Sequence, residues 1–164
     1  MASQGARDVI VVGVDGSSGA DAALDHALTA GLERDCRVEV VTGWLWVGSS
    51  DAQSPDELVE GRAAVQRVQD GVLARAAERL GAMPEVTQTV VHDYAGRVLV
   101  ARAEGATALV VGAGSLGATA NKMLGSVSEY CVRHSPVPVV VVPEPERVRR
   151  RHTVADVITL ARTS

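Results

Sequence analysis

The stretch Asp8–Val14, DVIVVGV, carries aliphatic residues on both of its alternating sides. A half-exposed strand alternates apolar with polar residues. A strand apolar on both sides is buried on both faces, as in the centre of a parallel sheet covered by helices. The same character returns at Ala108–Val111 (ALVV) and Val137–Val142 (VPVVVV). Arg37–Val41 (RVEVV), continuing towards Trp44 and Trp46, and Val86–Val91 (VTQTVV) supply two further β-rich runs. Stretches of helical periodicity separate them. The chain therefore reads as α/β, with five strands in one doubly wound parallel sheet and helices on both faces. Crossovers between parallel strands are right-handed, so covering both faces requires the strand order to reverse. Ligands in such sheets bind at that reversal, beyond the carboxyl ends of the strands. If the first and fourth strands are neighbours there, the loops that follow them, Asp15–Ser18 and Gly112–Ser126, open onto one crevice.

Helix signals agree with this order. After the first strand, Ala22, Ala23, His26, Ala27 and Ala30 fall at helical spacing, with Ser18 and Asp21 offering a cap. The next helix opens on Ser54-Pro55-Asp56-Glu57, which places a serine at the N-cap, a proline at the first position and a glutamate as reciprocal partner. Leu58, Val65, Val68, Val72, Leu73, Ala76 and Leu80 form its apolar stripe, and Gly81 and Pro84 stop it. Arg97–Glu104 and Ser126–His134 read as the third and fourth helices. His26 and His134 are expected to be packing residues, and His92 ends the third strand.

Composition narrows the function. The 164 residues make one domain. Aromatics are 2% of the chain, with no Phe, and the net charge is −4. Both features weigh against nucleic-acid binding, which uses stacking platforms and a basic surplus. Cys36 and Cys131 stand alone, without metal-ligand spacing, and read as small buried hydrophobes. Residues 1–8 (MASQGARD) lack the apolar core of a signal peptide, and no stretch reaches the roughly 20 apolar residues of a membrane span. A cytoplasmic protein without membrane contact is expected. No Ser/His/Asp or Cys/His order and no converging carboxylates indicate an efficient catalyst.

The segment VVGAGSLGATANKMLGSVSEY carries the distinctive chemistry. Gly112, Gly114 and Gly117 fit G-x-G-x-x-G, yet a dinucleotide fingerprint belongs in the first strand–helix turn and these follow the fourth strand. The P-loop pattern is absent. Ser126 followed by Glu129 reads as a capping box, so a helix starts there. Helix N-termini present unpaired N–H groups and positive dipole charge, which attract phosphate. Lys122, the only lysine, lies in the same loop and could meet a phosphate or simply be solvated.

The spacing from Gly112, with nine residues between Ser115 and Gly125 followed by Ser126, resembles the nucleotide loop of the universal stress protein family, G-x2-G-x9-G-[ST]. The resemblance extends over residues 8–143 and includes VVGVDGS after the first strand and LGSVSEYCVRHSPVPVVVV through the last helix and strand. It implies a Rossmann-like fold of the adenine nucleotide alpha hydrolase type. It further implies that Asp15 contacts the adenosine, that Gly43 lines the adenine, and that Gly112, Gly125 and Ser126 bind phosphate, with Gly114, Ser115 and Gly117 in the same loop. ATP is the first ligand implied, AMP or a cyclic nucleotide the next, with Mg as a companion ion. The sequence departs from the pattern at the second loop glycine, whose position holds Ser115. If the backbone there needs positive φ, a serine costs about 1 kcal/mol or more. If only an N–H is needed, Ser115 supplies it. The alternative function is a family member that binds no nucleotide and acts as an interaction module.

Val137–Val142 is too apolar to stand as a bare edge, and the resemblance implies a homodimer paired through it. Residues 1–7 read as a flexible N-terminus. Residues 144–164 read as a tail with a basic run (Arg147, Arg149, Arg150, Arg151) and a short helix from Thr153.

Overall fold

The computed structural model describes residues 8–45, 54–114 and 124–144. Its elements alternate as β1 (Val9–Gly13), α1 (Ser18–Arg34), β2 (Arg37–Trp44), α2 (Pro55–Leu80), β3 (Val86–His92), α3 (Ala95–Arg102), β4 (Ala108–Gly112), α4 (Ser126–His134) and β5 (Val139–Val142). The strands form one parallel sheet of order β3-β2-β1-β4-β5. The chain winds outward from β1 to β3, returns, and winds the other way through β4 and β5. The reversal therefore falls between β1 and β4, and the doubly wound sheet expected from the sequence is what forms. The basic run and the tail helix lie outside the described residues. Among the described residues, no helix is long and apolar enough to cross a membrane.

β1 shows why its sequence had to be apolar throughout. Ile10 and Val12 pack with α1 and α2, while Val11 packs on the other face with Val98 and Leu99 of α3 and Cys131 of α4. Successive side chains point to opposite faces of a sheet, so each face needs its own apolar set.

Two helix starts differ from the sequence reading. At α1 the cap is Ser17, not Ser18: the Ser17 hydroxyl accepts the Ala20 N–H at 3.2 Å. Ser18 is the first helical residue, and its hydroxyl meets the Glu144 carboxylate just beyond β5. The buried stripe of α1 is Ala20, Ala23, Leu24, Ala27, Leu28 and Gly31, and His26 is exposed. The face places two leucines against the sheet beside the alanines and turns His26 outward, which removes more apolar surface from water. At α2 the expected box forms, with Ser54 Oγ accepting the Glu57 N–H and Glu57 Oε2 accepting the Ser54 N–H. Gly81 closes that helix at φ +72°.

Both cysteines are buried and free. Burial pushes the Cys131 thiol up to about 11, so it stays protonated at pH 8 as well as shielded. Iodoacetamide at pH 8 is expected to leave Cys131 unmodified in the native protein and to alkylate it in urea. Modification of Cys131 at native conditions, read by peptide mass, would contradict this packing.

Candidate functional site

The reversal brings the ends of β1, β2 and β4 to one cleft, with α3 and α4 as its far wall. Its volume is about 540 Å³, inside the roughly 300–1,000 Å³ span of small-molecule sites. Asp15, Gly43, Gly112, Gly114, Gly125 and Ser126 all line it. Six residues from four separate parts of the chain thus meet where the strand order predicts a ligand. Ser115, Gly117 and Lys122 lie outside the described residues.

Asp15 follows β1 in a tight turn. Its Oδ1 accepts the Ser17 N–H at 3.0 Å, and Gly16 takes φ +84° so that the chain can reverse into α1. The carboxylate is exposed and is the one charged side chain among the described residues that line the cleft. Gly43 forms part of the cleft floor. A Cβ there would lie 2.5 Å from Ala95 Cα, so the glycine lets the start of α3 press onto β2. Apolar side chains, among them Val41, Leu99 and Val111, complete that end.

The glycines of the fourth-strand loop prove to have separate causes. Gly112 ends β4 opposite Val142, and a Cβ on it would lie 2.7 Å from the carbonyl carbon of Gly19. Its smallness serves the approach of α1. Gly114 takes φ +86°, a conformation that L side chains rarely adopt. Among the described residues of this stretch the positive φ falls on Gly114, one residue before the family's glycine position. A Cβ on Gly114 would lie 2.8 Å from Gly125 Cα, and the Gly125 N–H donates to the Ala113 carbonyl at 2.7 Å. The two ends of the loop are thus joined backbone to backbone at its base.

The capping box expected at Ser126 does not form. Gly125 is the N-cap, with extended backbone (φ −65°, ψ 160°) and no side-chain cap. Its carbonyl accepts the Glu129 N–H at 2.8 Å, which makes Ser126 the first helical residue, and Glu129 pairs instead with Arg133 at 2.9 Å. The N–H groups of Ser126, Val127 and Ser128 belong to the first turn, which helix geometry leaves without intrahelical acceptors. All three residues line the cleft. An uncapped first turn presents those donors and the positive end of the helix dipole to whatever enters.

Two residues here escaped sequence reasoning. Ser128 is buried, and its hydroxyl lies 2.9 Å from the Gly125 carbonyl and 3.2 Å from that of Ala113. It clamps the helix start to the end of β4, and its place three residues after Gly125 was the available signal. Tyr94 precedes α3 and also lines the cleft, and only the rarity of aromatics could have drawn attention to it. His92 is exposed beside Trp44, at a ring distance of 4.5 Å. His134 is likewise exposed, stacked on Tyr130, so neither it nor His26 is a core residue. Among the described residues, no group of three or more His, Cys, Asp or Glu could hold a metal.

A doubly wound sheet with a glycine-lined cleft at its switch point and an uncapped helix start beside it defines a class of small-molecule-binding α/β proteins. The chain belongs to the universal stress protein family, whose model matches residues 6–143. It is 33% identical over 141 residues to the universal stress protein Rv2623 of Mycobacterium tuberculosis, covering 82% of this chain and 45% of that protein. The chain thus spans about half the length of the curated relatives it matches. In fold it is similar to a universal stress protein solved in complex with cAMP, with a TM-score of 0.65, 24% identity, and coverage of 85% of this chain and 99% of that one. It is similar too to the Archaeoglobus fulgidus universal stress protein solved in complex with dAMP, with a TM-score of 0.61, 19% identity, and coverage of 84% and 98%.

Proposed function

We propose that this universal stress protein binds an adenine nucleotide in the cleft at the β1–β4 reversal and works as a dimeric signalling module of a stress response. The uncapped first turn of α4 carries the reading. Donors without intrahelical acceptors, beside the backbone closure of Gly114 on Gly125, suit a phosphate that no lysine or arginine among the described residues reaches. Asp15 lies on the cleft wall where its second oxygen can accept from ribose hydroxyls, and the apolar floor around Gly43 suits a base. The neighbours solved with cAMP and dAMP support the adenine choice. ATP is the first ligand to test, then AMP and cAMP. Any magnesium would arrive with the triphosphate, given the lack of a carboxylate cluster among the described residues. β5 lies at the sheet edge, and we place the dimer contact there, through Val137–Val142.

The test is to denature purified protein, identify released small molecules by mass, and titrate ATP calorimetrically into the refolded or ligand-free chain. Release of an adenine nucleotide, or heat of binding below millimolar ATP, is the expected result. Neither, on a folded sample, would overturn the reading in favour of an interaction module without nucleotide. Light scattering on the same sample should give twice the chain mass, and a monomer mass would remove the β5 contact.

A further inference from the structure

Tyr94 stands between the end of β3 and the first turn of α3 and lines the cleft. The whole chain holds two tyrosines, two tryptophans and no phenylalanine, so a ring at this place is uncommon in its composition. Three contacts set its orientation. The hydroxyl donates to the Ser126 carbonyl at 3.3 Å. The Tyr130 ring stands perpendicular to it, centroids 5.5 Å apart at 88°. Gly96 leaves room for both rings, since a Cβ there would lie 2.8 Å from Tyr94 Cε1 and from Tyr130 Cδ1. The backbone beneath is held as well. The Asp93 carboxylate accepts the Tyr94 N–H at 2.6 Å and pairs with Arg97. That peptide N–H first, and Arg97 second, keep Asp93 below the usual carboxylate range.

An aromatic side chain has few torsions to order, and here its contacts have set them before any ligand arrives. Such preorganisation lets stacking appear as affinity instead of being consumed in immobilising the ring. The neighbouring floor, Gly43 against Ala95, is apolar. We infer that Tyr94 is the base-discriminating residue of the cleft, its ring being the surface on which a purine stacks. Its hydroxyl ties that surface to Ser126, where the phosphate-facing helix begins. The inference rests on the nucleotide reading above and adds to it the residue that selects the base.

The competing role is a brace between α3 and α4, and the ratio of ATP to UTP affinity separates the two. Every base offers a π-face to an aromatic ring, preferences among bases are modest and follow stacking strength, and losing one stack weakens binding by about tenfold. Wild-type protein is expected to bind ATP at least about fivefold more tightly than UTP. Tyr94→Ala should lose about tenfold in ATP affinity, with the ratio falling close to one. Tyr94→Phe, which keeps the ring, should retain the ratio. If the alanine variant does not fold, Tyr94→Leu removes the π-face while keeping bulk and should give the same collapse. Equal losses for ATP and UTP, or no wild-type preference for ATP, would overturn the inference while leaving nucleotide binding intact. No wild-type binding of either nucleotide would overturn the nucleotide reading itself.

Discussion

Gly112→Ala is expected to destabilise the protein by about 3 kcal/mol, at the upper end of what an added core methyl group costs. The new Cβ would lie 2.7 Å from the Gly19 carbonyl carbon, 2.8 Å from its oxygen and 3.1 Å from the Ala20 nitrogen. These are backbone atoms in the first turn of α1, so no side chain can swing aside. Either α1 lifts from the sheet or β4 loses register with β5. The strain is steric and not conformational, because Gly112 does not carry a positive φ. Gly71→Ala makes the contrast. Its Cβ would meet only the far end of Arg75, at 3.5 Å. In the middle of α2 an alanine should stabilise by about 0.5–1 kcal/mol. Urea unfolding of both variants gives the comparison. A Gly112→Ala midpoint equal to the parent's would show that the close approach of α1 to β4 is dispensable.

That reassignment shows how far the loop could be read from its residues. The glycine pattern marked a segment where a strand end, a helix start and a close backbone crossing meet, all of which favour glycine. It could not say which glycine served which need. Gly112 answers to α1, which lies far back in sequence; Gly114 answers to a dihedral angle; Gly125 answers to Gly114. The two misplaced caps have a similar cause. Ser17 and Ser18 are equally good capping residues, and only the course of the turn after Asp15 chooses between them. At α4 a glycine took the cap and left Ser126 inside the helix. The sheet was legible throughout, because apolar runs on both faces of a strand leave few alternatives. The packing angle of α1 was not, since a helix rich in alanine has a weak apolar stripe and its leucines decide the face.

Gln69 was also invisible to the sequence reading, and it supports the second large prediction. It sits in the stripe of α2 between Val65 and Val72 and is fully buried, at 0% exposure. Its amide nitrogen lies 3.1 Å from the Val40 carbonyl, 3.1 Å from Thr42 Oγ1 and 3.3 Å from the Thr89 carbonyl. Thr42 Oγ1 in turn donates to the Val14 carbonyl at 2.7 Å. The relay therefore runs from α2, through β2, to the last residue before Asp15. It anchors the chain where β1 ends and the Asp15 turn begins, so a polar contact on the α2 face steadies a residue of the cleft. Gln69→Leu keeps the volume but leaves buried acceptors without their donor, at a cost of about 2 kcal/mol. Thr42→Val removes the other half of the relay and should cost a similar amount. Because the two share one chain of hydrogen bonds, the double variant should lose clearly less than the sum of the single losses. Chemical unfolding of the four proteins measures the coupling. Strict additivity would show that Gln69 and Thr42 act independently and that α2 does not steady the Asp15 turn.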